Sequence, residues 1–123
     1  MRLLMIRHGE SEADILGVHE GRADFELTER GHRQAEAMSE YISQNYHITK
    51  IYHSTLKRAV QTAQHLVFKT QAPLIPDARL MEFNNGLLAG LKYSVAKEKY
   101  PQVAVAPHLS VYEQESALDF RYR

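Results

Sequence analysis

Apolar residues first cluster at Leu3, Leu4, Met5 and Ile6, a continuous run closed by Arg7 and His8. A short run without polar alternation predicts a strand buried on both faces of a parallel sheet. From Gly9 to Leu27 the chain turns polar, with Gly17 and Gly21 and no sustained period, which predicts a long loop. Long loops in compact domains usually carry function. Thr28 then offers an N-cap, Glu29 suits the positive end of a helix dipole, and Ala35, Met38, Tyr41 and Ile42 share one face, so a helix is predicted to about Asn45. Lys50 to His53 predicts a second strand. Ser54 or Thr55 is expected to cap a second helix whose apolar stripe is Leu56, Ala59, Val60, Ala63 and Val67.

Pro73 and Pro76 bracket a third short strand at Leu74 and Ile75, and Asn84, Asn85 and Gly86 predict a turn. Lys92 to Tyr100 reads as helical up to Pro101, and 103–108 as a loop. Ser116 and Asp119 match a capping box that opens another helix. The chain stops within about two turns of that start, so the expectation is a single domain over 1–123, truncated at its C-terminus. Strands alternating with helices predict an α/β fold, a largely parallel sheet with helices on both faces. Ligands of such sheets bind beyond the carboxyl ends of the strands. His8, Ser54 and Glu82 each follow a strand candidate, which would gather them on one rim.

Composition narrows the chemistry. Fifteen basic residues balance fifteen acidic ones, so no net field favours nucleic acid or an anionic membrane, and any anion site must be local. No cysteine is present, which excludes a disulfide framework, thiolate metal ligation and a cysteine nucleophile. Nowhere does an apolar stretch reach bilayer length, and Met1 to Ile6 is followed by no signal-cleavage pattern, so a soluble, cytoplasmic protein is expected. Seven histidines raise the question of a metal. None pair at ligand-motif separations, and neither a metal nor a cofactor is expected.

The reactive candidates lie at the predicted strand ends. An imidazole at position 8 can attack phosphorus, Gly9 can let substrate approach the backbone, and Arg7 can neutralise phosphate oxygens. Arg7 and His8 are neighbours, so on a regular strand they would point to opposite faces. Lys57 and Arg58 stand in the first turn of the second helix, where the dipole disfavours cations. A bound anion would reverse that preference, with helix-start N–H groups and the Arg58 fork forming a phosphate clamp. Ser54 is read as a cap. Glu82, beside Phe83, could be kept protonated by the ring and serve as a general acid. Asp14 and Glu20 are candidates for the pocket wall.

Together these segments resemble the histidine phosphatase superfamily, the phosphoglycerate mutase-like group. They are Arg-His-Gly-Glu-Ser at 7–11, Gly-Arg-Ala-Asp-Phe-Glu-Leu-Thr-Glu-Arg-Gly at 21–31 with Gln34 and Ala35, Ser-Thr-Leu-Lys-Arg-Ala-Val-Gln-Thr-Ala at 54–63, and Leu-Met-Glu-Phe at 80–83. The resemblance implies metal-free phosphoryl transfer in two steps, through a phosphohistidine on His8, with Glu82 as proton donor and Arg7 and Arg58 on the phosphate. The expected substrate-binding set is Arg7, Gly9, Ser11, Asp14, Glu20, Gly21 and Arg58, acting on a phosphorylated small molecule.

Two departures stand out. The family often has Asn where Asp14 stands and Gln where Glu20 stands, and an ionised carboxylate donates no hydrogen bond. The family also carries a second catalytic His, followed by Gly, on a later strand lying between the first two strands. No His-Gly follows His8 here, and His108 precedes Leu109. Without that strand the sheet is expected to carry a gap with unpaired backbone groups. The expected activity is hydrolysis of a small phosphomonoester. The alternatives are mutase-type transfer, or a shortened, inactive phosphoester-binding protein.

Overall fold

In the computed structural model, which describes all 123 residues, the chain folds around two long helices laid against a small parallel sheet. The first element is a helix the sequence reading placed inside a loop: α1, Glu12–Leu16. Its signal was local. Ser11 caps it and Asp14 returns the bond to the Ser11 N–H at 2.8 Å, a capping box with aspartate in the acidic position, and Gly17 closes it in the left-handed conformation. Five residues are too few to show an apolar period, and 9–27 is therefore not one continuous loop as expected but is interrupted by this helix.

The helix α2, Glu29–Asn45, starts on Thr28, whose hydroxyl accepts from the Gly31 N–H, and ends where expected. Strand β1, Ile51–His53, leads into α3, Lys57–Thr70, and β2, Leu74–Pro76, returns beside β1 in parallel register, Tyr52 opposite Ile75. The α2 and α3 helices pack through small residues. Gly31, Ala35 and Ser39 on one and Thr62 and Ala63 on the other are buried, so the backbones approach closely. His32 and His65 add a bond of 3.0 Å between the helices, one ring donating to the other. The apolar core, Ile42, Ile51, Ala63, Leu66 and Ala72, lies where these helices meet the sheet. Emptying the Leu66 position to alanine would cost about 2–5 kcal/mol.

Three further expectations change. Ser54 and Thr55 do not cap α3. Leu56 holds the cap position without a side-chain bond, and Asp24 from the preceding loop reaches across to accept the Lys57 N–H at 2.7 Å. The Lys57 N–H is thereby already satisfied and is not free for an anion. The segment Leu3–Ile6 forms no strand, and Leu3 and Met5 are exposed, at 75% and 91%. The reason is the lack of a neighbour: residues 1–8 make no backbone–backbone hydrogen bond. A strand cannot be assigned, or buried, without a ladder to join.

The remaining chain is irregular, apart from 3-10 turns at Ala78–Leu80 and Gly86–Leu88 and the short helices α4, Tyr93–Lys99, and α5, Ala117–Tyr122. Asn84–Gly86 forms the expected turn and Ser116 caps α5, accepting from the Asp119 N–H. The fold is α/β, with Leu4, Ile51 and His53 turned toward the helices. Leu3, Met5 and Tyr52, on the alternate face, are open to solvent. No helix is long and apolar enough to cross a membrane.

Candidate active site

Arg58 is the centre around which the site is built. It sits in the first turn of α3 and is 1% exposed. Burying a guanidinium is tolerable only if its donors are matched. Its Nη2 donates to the Gly21 carbonyl at 2.9 Å and to Glu82 Oε2 at 2.8 Å, its Nη1 to the Ala23 carbonyl at 3.2 Å, and its Nε to His8 Nε2 at 3.2 Å. Glu20 Oε1 stands 3.5 Å from the same Nε. The loop after α1 thus wraps the guanidinium, pinned to α3 by Asp24 and by Gln61, which accepts the Leu27 N–H at 2.8 Å.

His8 reaches this centre from the other side. Its Nδ1 lies 2.7 Å from the Gly9 carbonyl, which can only accept, so Nδ1 carries the proton. The Arg58 Nε–H points at Nε2, which must then present its lone pair. Two independent partners select the same tautomer and leave Nε2 as the basic, nucleophilic atom. The ring is held by its backbone: the Gly9 N–H donates to Thr62 Oγ1 at 3.2 Å, and the Thr62 hydroxyl donates to the Arg58 carbonyl at 2.7 Å. Sequence reasoning missed Thr62. One turn after Arg58 on the same helix face, it was visible only as part of the 54–63 segment.

Gly9 has a different reason from the one expected. A Cβ there would meet the Gly31 carbonyl oxygen at well under 3.0 Å, so the glycine is required by the helix behind it. Gly21, with φ +49°, sits where a side chain would strike Asn85 and the Phe83 carbonyl, and this lets the loop deliver its own carbonyl to Arg58.

The other expected residues divide. Ser11 is fully buried and caps α1, and its hydroxyl also donates to Glu20. Asp14 is exposed and spends its carboxylate on the capping box, away from the convergent set. Glu20 does converge, with Oε2 3.7 Å from His8 Nε2. Arg7 is exposed and has no partner: Leu4 and His8 turn inward and Met5 and Arg7 outward, the alternation that separates neighbours along a strand. Glu82 is half exposed at the pocket's edge. Phe83 turns instead to Phe120, edge to face at 5.5 Å. Lys57 pairs with Glu26 at 3.0 Å, a hydrogen bond that holds its ammonium above the ordinary lysine range.

One ligand atom each from His8, Glu20 and Glu82 falls within 4.8 Å of the others, a spacing a cation could use. Arg58 already bonds or pairs with all three, so a fixed cation occupies the position a metal would take. The arrangement therefore offers one nucleophilic nitrogen, one buried fork of donors and two carboxyl groups around a single point. That combination suits a phosphoryl group.

Comparison with known proteins gives this geometry a family. Residues 3–123 match the model of the histidine phosphatase superfamily (branch 1). The chain is 33% identical over 102 residues to phosphoserine phosphatase 1 of Hydrogenobacter thermophilus, covering 83% of this chain and 48% of that protein. It is 35% identical over 103 residues to the 2,3-bisphosphoglycerate-dependent phosphoglycerate mutase of Corynebacterium kroppenstedtii, covering 80% and 42%. Among solved structures it superposes on a mycobacterial glucosyl-3-phosphoglycerate phosphatase complexed with VO3, with a TM-score of 0.70 and 30% identity over 76% of this chain and 44% of that one. The chain spans about half the length of the curated relatives it matches. With the imidazole, the buried guanidinium and the motif segments all in register, the chain belongs to the histidine phosphatase superfamily, branch 1.

Proposed function

We propose that this chain supplies the phosphate-accepting half of a metal-free phosphomonoesterase in which His8 is transiently phosphorylated. The observation that carries the reading is the bond from the Arg58 Nε–H to His8 Nε2 at 3.2 Å, which places a fixed cation beside a lone pair. An arriving phosphate oxygen would replace Nε2 as the acceptor of that N–H, leaving Nε2 to attack phosphorus while the guanidinium gathers the charge. Glu82 would give its proton to the leaving alkoxide. In the second step a water would lose a proton to the Glu82 carboxylate and attack the phosphohistidine, which returns His8 and inorganic phosphate. Each donor aimed at developing charge is worth about a hundredfold or more in rate. Arg7, exposed next to His8, would swing onto an outer phosphate oxygen.

Hydrolysis is favoured over mutase-type transfer by the state of the nearby cations. Arg22 and Arg123 are both paired with Glu115 and so are not free to retain a second phosphate. The proposed substrate is a small phosphomonoester and the proposed setting the cytoplasm. Incubation with 32P-labelled 3-phosphoglycerate, followed by an acid quench and peptide mapping, is the test. Acid-labile, alkali-stable label on the His8 peptide is expected, absent in His8→Ala. Phosphoester binding with no label in the wild-type chain would replace this reading with the non-enzymatic one.

A further inference from the structure

The point that His8 and Arg58 share already holds an anionic side chain, that of Glu20. One carboxylate spans both residues: Oε2 stands 3.7 Å from His8 Nε2 and Oε1 stands 3.5 Å from Arg58 Nε. A third contact comes from the Ser11 hydroxyl, which donates to Oε1. The Glu20 side chain is only 11% exposed, so it lies inside the site rather than over it. A guanidinium receives a carboxylate and a phosphate alike, through oxygens set against its fork of donors. For attack, the reacting atoms must come within about 3–3.5 Å of each other. A carboxylate oxygen 3.7 Å from Nε2 fills the space that phosphorus would need, so Glu20 and a phosphoryl group exclude one another there.

The backbone around Glu20 is tied on both sides. His19 donates its N–H to the Leu91 carbonyl at 2.9 Å, and its own carbonyl accepts from the Gly90 N–H at 2.8 Å. The Glu20 carbonyl accepts from the Ala23 N–H at 2.8 Å, and the Gly21 carbonyl from Arg58 at 2.9 Å. Departure of the carboxylate is therefore a turn of the Glu20 side chain and not a movement of the loop. The groups it leaves have other partners. Asp14 Oδ2 lies 3.3 Å from the Ser11 hydroxyl and can accept in place of Glu20, while an arriving phosphate oxygen meets the Arg58 charge.

We propose that Glu20 is an internal stand-in for substrate phosphate, a gating residue whose carboxylate keeps anions out until its side chain rotates away. This rests on the phosphate-accepting reading of His8 and Arg58 and adds the regulation of that site. Affinity for a phosphoester is then set by how often Glu20 stands aside. If the open arrangement is populated at about 1–10%, apparent affinity is weakened about 10–100-fold.

Calorimetric titration of the intact 123-residue chain with inorganic phosphate tests this without turnover. Glu20→Gln keeps the shape and discards the charge, and Glu20→Ala empties the position. Each should bind phosphate about 10–100-fold more tightly than wild type. Both variants keep the Arg58 bonds to Gly21, Ala23 and Glu82 and are expected to fold. Glu26→Gln removes the same charge from a half-exposed pair with Lys57 and should change affinity by less than ~3-fold in physiological salt. In the wild-type chain, saturating phosphate should move the carboxyl carbon resonance of Glu20, which a residue that merely holds the loop would not show. A gain missing from either Glu20 variant, an equal gain in Glu26→Gln, or an unmoved Glu20 resonance at saturation overturns the proposal. Tighter binding in the Glu20 variants with no 32P label on His8 would keep the gate and remove the chemistry, whereas label without the gain would remove the gate alone.

Discussion

Replacing Gly9 by alanine tests how tightly the site depends on the helix behind it. The added Cβ would lie well under 3.0 Å from the Gly31 carbonyl oxygen, whereas C···O contacts normally begin near ~3.3 Å. Backbone on one side must therefore move by on the order of 1 Å. Gly31 has little room to yield, because it is itself packed against the Glu10 backbone, whose carbonyl oxygen a Cβ added at Gly31 would strike. Overpacking of this kind costs about 1–3 kcal/mol, and the stiffer unfolded chain returns roughly 0.5–1 kcal/mol. A net loss near ~1–2 kcal/mol remains. With an unfolding entropy of about 2.1 cal/mol/K per residue over 123 residues, that loss lowers the thermal midpoint by about 4–8 °C. His8 is the next residue, and a 1 Å displacement breaks its 3.2 Å bond to Arg58, so phosphoryl capture should fall about a hundredfold. Calorimetry and the 32P label measure the two effects. A variant that melts within 1 °C of wild type and still takes the label would refute the reasoning.

Four other outcomes follow from the same contacts. Thr62→Val keeps the volume but strands the Gly9 N–H, and should cost about 1–3 kcal/mol in chemical denaturation, with faster exchange at the Gly9 amide. Arg58→Ala leaves the Gly21 and Ala23 carbonyls and the Glu82 carboxylate without their donor and Glu20 without its cation, which should cost about 3 kcal/mol or more and end phosphate binding by calorimetric titration; Arg58→Lys, lacking the fork, should not restore binding. Glu115 is held below the ordinary carboxylate range, chiefly by its hydrogen bond from Arg123, so its contribution is present above the unfolded-state value near ~4.3 and lost as pH falls through the depressed folded value. Glu115→Gln should therefore lower stability at pH 7 and flatten its acid decline, as read by urea midpoints between pH 7 and 3. Asp77 is pulled down to about 2, first by the Arg79 guanidinium and then by the residue-79 backbone N–H, so Arg79→Ala should raise it toward the ordinary carboxylate range in an NMR titration while the backbone bond keeps it below that range.

Long elements were legible because their signals repeat. The α2 and α3 helices carry enough apolar positions to show a period, and Thr28 marks the start of the first. The five-residue α1 has no room for one, and only its cap could have been read. His8, Arg58 and Glu82 stood out as candidates through motif segments, whereas their convergence on one point was not legible. Asp14 and Glu20 are six residues apart in a segment that reads as one loop, with nothing in the pattern to separate them; the fold sends one to a helix cap and the other to His8.

Sequence by itself settled what is local: residue type, helix period, the Thr28 and Ser116 caps, and the motif spacing that marks the family. Tertiary structure decided everything requiring a distant neighbour. Leu3–Ile6 has the composition of a buried strand, yet strand formation is a property of a pair, and no partner stands beside it. Likewise the tautomer of His8 follows from the Gly9 carbonyl and from a guanidinium fifty residues away, which only the packing of α3 against the opening segment brings within hydrogen-bonding distance.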